Sequence, residues 1–158
     1  MALTIRPATV DDLPLILQLI QGLAEYERLL HQCVATVDEL RASLFGARPD
    51  AEVIIGVLDG TPAGFALFFH SYSTFLARRG LYLEDLFVIP EFRGKGVGKA
   101  LLKHLARLAV DRGCGRFEWA VLDWNEPAIK VYRSLGAVPM DGWTTYRLTG
   151  DALSQLAR

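Results

Sequence analysis

With 158 residues the chain is long enough to bury one full core, and 17 basic against 18 acidic side chains leave no positive surplus for general nucleic-acid binding. Apolar residues make up 51%, yet no apolar run approaches the ~20 residues of a membrane span. The start MALTIRPAT lacks the basic and apolar regions of a secretion signal, and Cys33 and Cys114 are too few for a disulfide framework. A single reduced, cytoplasmic domain without membrane attachment is therefore expected.

In chain order, patterning predicts a strand over 3–7, then a helix over 10–30 capped by Thr9 or Asp11, with Pro14 in its first turn. A helix over 36–45 follows. Strands over 52–58 and 63–71 flank Asp59-Gly60, a hairpin signal. Next come a strand over 80–89, a helix over 97–112, a strand over 116–122, a helix over 126–135, a strand over 142–149 and a short tail helix. This order describes an α/β protein with a mixed, mostly antiparallel central sheet and helices on both faces. Several folds share such an order, so function must be argued from particular residues.

The most informative stretch is Leu81 to Ala100, LYLEDLFVIPEFRGKGVGKA. An apolar strand carrying Glu84 and Asp85 ends at Pro90. Gly94, Gly96 and Gly98 follow at alternate positions among Arg93, Lys95 and Lys99, just before the apolar-periodic helix that opens at Val97. Strand, glycine-rich turn and helix N-terminus together form an anion site, because spare N–H groups and the positive helix end meet where no side chain blocks a phosphate. A P-loop is excluded: Ala100 stands where Ser or Thr is required, and Arg93 where the upstream Gly is required. The dinucleotide fingerprint fails at Lys99. What remains, Arg93-x-x-Gly96-x-Gly98, resembles the pyrophosphate loop of the Gcn5-related N-acetyltransferases (GNAT), which bind acetyl-coenzyme A.

The second half of that family's pattern follows: a strand ending in LDWN, Asn125, and Tyr132 seven residues later on a helix stopped by Gly136. IRPAT (Ile5–Thr9), LAEYE (Leu23–Glu27), YLEDLFV (Tyr82–Val88), LDWNEPA (Leu122–Ala128) and Gly142-Trp143 sharpen the resemblance to the diamine and thialysine N-acetyltransferase branch. The resemblance covers nearly the whole chain. It implies the GNAT acyl-coenzyme A N-acyltransferase fold and direct transfer of acetyl from acetyl-coenzyme A to a primary amine. It also implies a homodimer.

Acetylating an amine requires removing a proton from an ammonium, donors for the developing oxyanion and a proton for the leaving thiolate. Glu84 and Asp85 are adjacent on a strand and so are expected on opposite faces, Glu84 with Tyr82 and Leu86, Asp85 with Leu83 and Phe87; only one then faces a given cleft, which speaks against a paired-carboxylate mechanism. The resemblance puts Glu84 in the amine site as ammonium anchor and water-relayed base, with Asp85 as second choice. It also makes Tyr132 the general acid. For the coenzyme it implies the main chain of Leu86, Phe87 and Val88 on a bulged strand, the loop Arg93, Gly94, Lys95, Gly96, Val97, Gly98 and Lys99, and Asn125, Glu126, Pro127, Ala128 and Tyr132. Read without the family, Tyr132 is also a core tyrosine at helical spacing and Asn125 a helix cap.

The acceptor is expected to be cationic, since Glu27 beside Tyr26, Glu84, Asp85 and Asp141 before Gly142-Trp143 are acidic, with Trp143 as a wall. Polyamine-type relatives carry an acid and a Trp where this chain has Ser73 and Phe75, which points instead to a thialysine- or lysine-like amine or a short diamine. Acetylation of a protein or peptide amine is the alternative enzymatic reading, and a non-catalytic acyl-coenzyme A-binding subunit the non-enzymatic one. His31, His70 and His104 lie on separate elements with no ligand spacing, so no metal is expected.

Overall fold

The computed structural model describes all residues, Met1–Arg158, as two compact units, Met1–Ala120 and Val121–Arg158. The first holds a five-stranded sheet in the order β1-β2-β3-β4-β5: β1 Leu3–Pro7, β2 Glu52–Leu58, β3 Thr61–Ser73, β4 Arg78–Val88 and β5 Phe117–Trp119. All pairs are antiparallel except β4 with β5. Between β1 and β2 run α1, Leu13–Tyr26, and α2, Val37–Phe45; α3, Val97–Asp111, connects β4 to β5. The expected mixed sheet is thus present, and its one parallel pair, β4 with β5, is connected through α3.

Two apolar clusters flank the sheet. Ile16, Leu19 and Leu23 of α1 and Leu44 of α2 pack on Val53, Ile55, Phe65 and Phe87. On the other face, α3 buries Val97, Leu101 and Leu105, and a methyl placed on Gly98 would touch Val88 and Leu86 at ordinary contact distance. Successive strand residues alternate between these clusters, which is why nearly every residue from Val53 to Phe68 apart from the turn is apolar. The β2–β3 hairpin turns on Asp59 and Gly60, with φ of 49° and 80°, the backbone a type I′ turn requires.

The first helix is shorter than its apolar pattern suggests. A single 3-10 turn at Val10–Asp12, with Thr9 at its N-cap, precedes α1, and Asp12, rather than Thr9 or Asp11, stands at the N-cap of α1, held by a bidentate ion pair with Arg6 at 2.8 and 2.9 Å. Another 3-10 turn, Leu30–Gln32, lies in the connection to α2. Thr36 caps α2 by accepting from the Glu39 N–H.

The second unit contains α4, Glu126–Ser134, and α5, Gly150–Leu156, which is the expected tail helix. The strand expected over 142–149 is absent, and the one expected over 116–122 shrinks to Phe117–Trp119. A β-prone sequence becomes a strand only against a neighbour's ladder, and 142–149 pairs with none of the five strands.

One close approach governs the β3–β4 pair. A Cβ on Gly64 would lie 2.6 Å from the Phe87 carbonyl oxygen, a backbone atom that cannot swing aside. Gly64→Ala is therefore expected to cost roughly 1–3 kcal/mol of unfolding free energy, measured as a lower urea midpoint with an unchanged m-value.

Candidate active site

Strand β4 contains one residue more than β3 opposite it. Leu67 faces Asp85 but Phe68 faces Leu83, so Glu84 is the unpaired residue of a β-bulge. Two consequences follow. Side-chain parity changes: Tyr82 contacts the Phe69 ring, with centroids 5.2 Å apart, and beyond the bulge Phe87 packs against α1. Glu84 and Asp85 consequently both line one groove on the α1 side, instead of facing apart as strict alternation required. Main-chain parity changes as well. The Leu81 N–H donates toward β5, to the Arg116 carbonyl at 3.0 Å, whereas the Ile89 N–H donates to Ala63 of β3 at 2.8 Å.

Since alternate amides of a strand point the same way, Phe87 faces β3 with Ile89, while the N–H groups of Leu86 and Val88 face the other edge. On that edge the ladder with β5 ends at Leu83. Of the three residues expected to present free amides, Leu86 and Val88 are so oriented. Phe87 is not, because the bulge turns its N–H toward Phe65.

The groove has a volume of about 600 Å³ and is lined by Glu27, Glu84 and Asp85, by apolar Ile20, Leu23, Ala24, Leu29 and Leu40, and by Gln32, Cys33, Val34, Ala35, Glu39 and Ser43. Burial, reinforced by Glu84 and then Glu27, pushes the Asp85 carboxyl up to about 6. Burial and the Glu84 charge also raise Glu27. Gln32, Cys33, Glu39 and Ser43 were not singled out from sequence as groove residues. Only the apolar–polar alternation of α2, with Leu40 toward the core, hints that Glu39 and Ser43 border the same space. Ser73 is buried and accepts from Arg116 Nη2 at 3.0 Å and the Leu76 N–H at 3.3 Å, so its hydroxyl is engaged in holding the β3–β4 turn.

At the loop, Gly94 and Gly96 have φ of 75° and 85°, with no heavy atom within 4 Å of an added Cβ. Gly96 stands at the α3 N-cap without a side-chain cap, and the first helical bond runs from Ala100 N to Gly96 O at 3.0 Å. The amides of Val97, Gly98 and Lys99 therefore have no intrahelical acceptor. A left-handed bare cradle with open amides fits a diphosphate. The Arg93 side chain turns away from that cradle: Nε donates to the Val88 carbonyl at 3.1 Å, and the guanidinium lies over the Tyr26 and Phe87 rings, 5.1 and 5.5 Å from their centroids. Lys95 Nζ lies 5.9 Å from the Phe92 ring centroid.

In the second unit Asn125 is buried and caps α4, its Oδ1 accepting from the Ala128 N–H at 3.4 Å. Glu126, Pro127 and Ala128 form the first turn of α4, and Tyr132 is half-buried near its end. Asp141 and Trp143 lie on an exposed segment turned by a bond from the Trp143 N–H to the Met140 carbonyl. The first unit thus gathers Glu27, Glu84, Asp85, the β4 edge and the glycine loop; the second carries Asn125, Tyr132, Asp141 and Trp143.

The raised Asp85 pKa has a definite sign in stability. Its unfolded value is 3.8 and its folded value about 6, so the folded protein holds the proton more tightly and loses stability as pH rises between the two. Asp85→Asn should raise Tm over wild type at pH 7–8, and that gain should vanish below about pH 4. Thermal melts across this range check it.

Comparison with known proteins agrees with this geometry. The Acetyltransferase (GNAT) family model matches residues 20–137. Thialysine N-epsilon-acetyltransferase of Sus scrofa is 38% identical over 97% of this chain and 96% of its own length. L-ornithine N5-acetyltransferase of Arabidopsis thaliana is 36% identical over 96% of this chain and 86% of its length. Among solved structures, an integron cassette protein from the mobile metagenome of V. cholerae superposes with a TM-score of 0.83 at 28% identity, over 100% of this chain and 99% of that one. Bulged strand, bare helix N-terminus and acidic groove are the local form of a wider kinship: this chain belongs to the GNAT acetyltransferase family.

Proposed function

We propose that the protein transfers acetyl from acetyl-coenzyme A directly to the primary amine of a small cationic molecule, a thialysine- or lysine-like side-chain amine or a short diamine. The observation that carries this reading is the groove in which Glu27, Glu84 and Asp85 converge beside an apolar wall. Three carboxylates in one partly dry space repel one another and are relieved by an ammonium. The names of the relatives, which acetylate the side-chain amines of thialysine and ornithine, support the same acceptor class.

Acetyl-coenzyme A, the co-substrate of this family, supplies an activated acetyl thioester. The amides of Val97, Gly98 and Lys99, presented by the Gly94–Lys95–Gly96 turn, would hold its diphosphate. Leu86 and Val88 present N–H groups at an open strand edge, where donors stabilise negative charge growing on a carbonyl oxygen. Glu84 anchors the ammonium. Asp85, titrating near 6, accepts its proton closer to neutrality than an ordinary carboxylate does. Tyr132 would return a proton to the departing thiolate, and Tyr26 would border the acceptor amine; Asp141 and Trp143 are further candidate acceptor residues.

No acyl-enzyme step is invoked: Cys33 and Cys114 stand in no nucleophile motif, and no Gly-x-Ser-x-Gly turn occurs.

The deciding experiment follows free thiol release with thialysine, lysine, ornithine, short diamines, spermidine and a lysine peptide. Saturable turnover with the small amines supports the proposal; turnover with the peptide alone overturns it. Tyr132→Phe is expected to lower kcat about 10²-fold while leaving the coenzyme Kd, measured by calorimetry, unchanged.

A further inference from the structure

Arg93 opens the glycine loop, and a basic residue there would ordinarily be assigned to the phosphates. Its side chain instead lies back across the end of β4. Nε donates to the carbonyl of Val88, which belongs to the edge that β5 leaves uncovered, and the guanidinium carbon lies over the Tyr26 ring at 5.1 Å and the Phe87 ring at 5.5 Å from their centroids. Tyr26 is the last residue of α1, and Glu27, on the groove wall, follows it directly. Phe87 sits on β4 between the two amides aimed at the open edge and packs into the α1 cluster. One planar cation therefore spans the start of the diphosphate loop, the donor edge of β4 and the end of α1 that carries an acid of the acceptor groove.

We infer that Arg93 is a positioning residue that holds the acceptor wall at Tyr26–Glu27 in register with the β4 edge that receives the acetyl group, rather than a direct phosphate ligand. The inference rests on the proposed function of the groove and the loop. Arginine suits the task because it offers a directional N–H and a flat, weakly hydrated face to two rings at once, which a lysine ammonium does not. The loss on replacement should appear where donor and acceptor meet, since misplacement of reacting groups costs rate without changing how the coenzyme is gripped.

The test uses the whole chain of 158 residues and four variants. Arg93→Met keeps a long apolar stem over the rings but removes both the donor and the charge; Tyr26→Leu removes one ring; the third variant combines them. Arg93→Met should lower kcat/KM for the best amine about ten-fold and raise the amine KM, with the coenzyme Kd within about two-fold of wild type. The double variant should lose little beyond the larger single loss, because both substitutions break one contact.

Arg93→Gln restores an N–H donor for Val88 and should recover part of kcat. Melting curves confirm that each variant is folded, which the exposed position of Arg93 favours. A coenzyme Kd weakened ten-fold or more in Arg93→Met, or additive losses in the double variant, overturns the inference. A wild-type protein that binds no coenzyme and releases no thiol would instead overturn the proposed function, so the two failures are told apart.

Discussion

A single extra residue on β4, Glu84, sets the direction of everything beyond it. A strand that keeps strict alternation would place Glu84 and Asp85 on opposite faces and would turn the amides of Asp85 and Phe87 toward β5. The bulge breaks the alternation once, between Leu67 and Phe68 of the partner strand. Both carboxylates then share the α1 face, and the amides of Leu86 and Val88 face the edge where the β5 ladder has already stopped. Acid groove and donor edge are therefore two results of one backbone irregularity, and neither can be moved without the other.

That arrangement has an energetic cost that the rest of the fold must offset. Burial first, and then repulsion among Glu27, Glu84 and Asp85, raises both Glu27 and Asp85. The compensation lies in the apolar layer beneath, where Ile16, Leu19, Leu23, Ile55, Phe65 and Phe87 are almost wholly buried. At about 25 cal/mol per Å² of apolar surface, a layer of this kind can carry a repulsive cluster at its rim. The exposed or half-exposed bidentate pairs Arg6–Asp12 and Arg112–Glu52 serve orientation more than stability: the first fixes the approach to α1, the second ties the end of α3 to β2.

The two faces of the sheet also divide the chemistry. The α1–α2 face provides the carboxylates and a groove of about 600 Å³. The α3 face brings a helix N-terminus, without a capping side chain, to the end of the same strand. Between them runs the β4 edge, so in the proposed reading a coenzyme lying along it would have its phosphates at one end and the amine at the other. Direct transfer would then follow, because donor and acceptor would approach one strand from opposite sides.

Much of this was legible in the residues themselves. The glycines before α3, the hairpin at Asp59-Gly60, the apolar faces of α1 and α3 and the Asn125 cap follow from local physics: backbone freedom at positive φ, helical periodicity and side-chain capping. Tertiary pairing decided the remainder. Nothing local distinguishes Glu84 as a bulge from Glu84 as an ordinary strand residue, since the extra residue exists only relative to β3. The stretch 142–149 has strand composition yet no ladder, for a strand is a property of two chains of backbone rather than one. Arg93 reads as a phosphate ligand by position, and only the folded arrangement of Val88, Tyr26 and Phe87 turns its guanidinium elsewhere. Local sequence determines which backbone and face each segment prefers; what long-range packing alone decides is register, and register is what placed the charges.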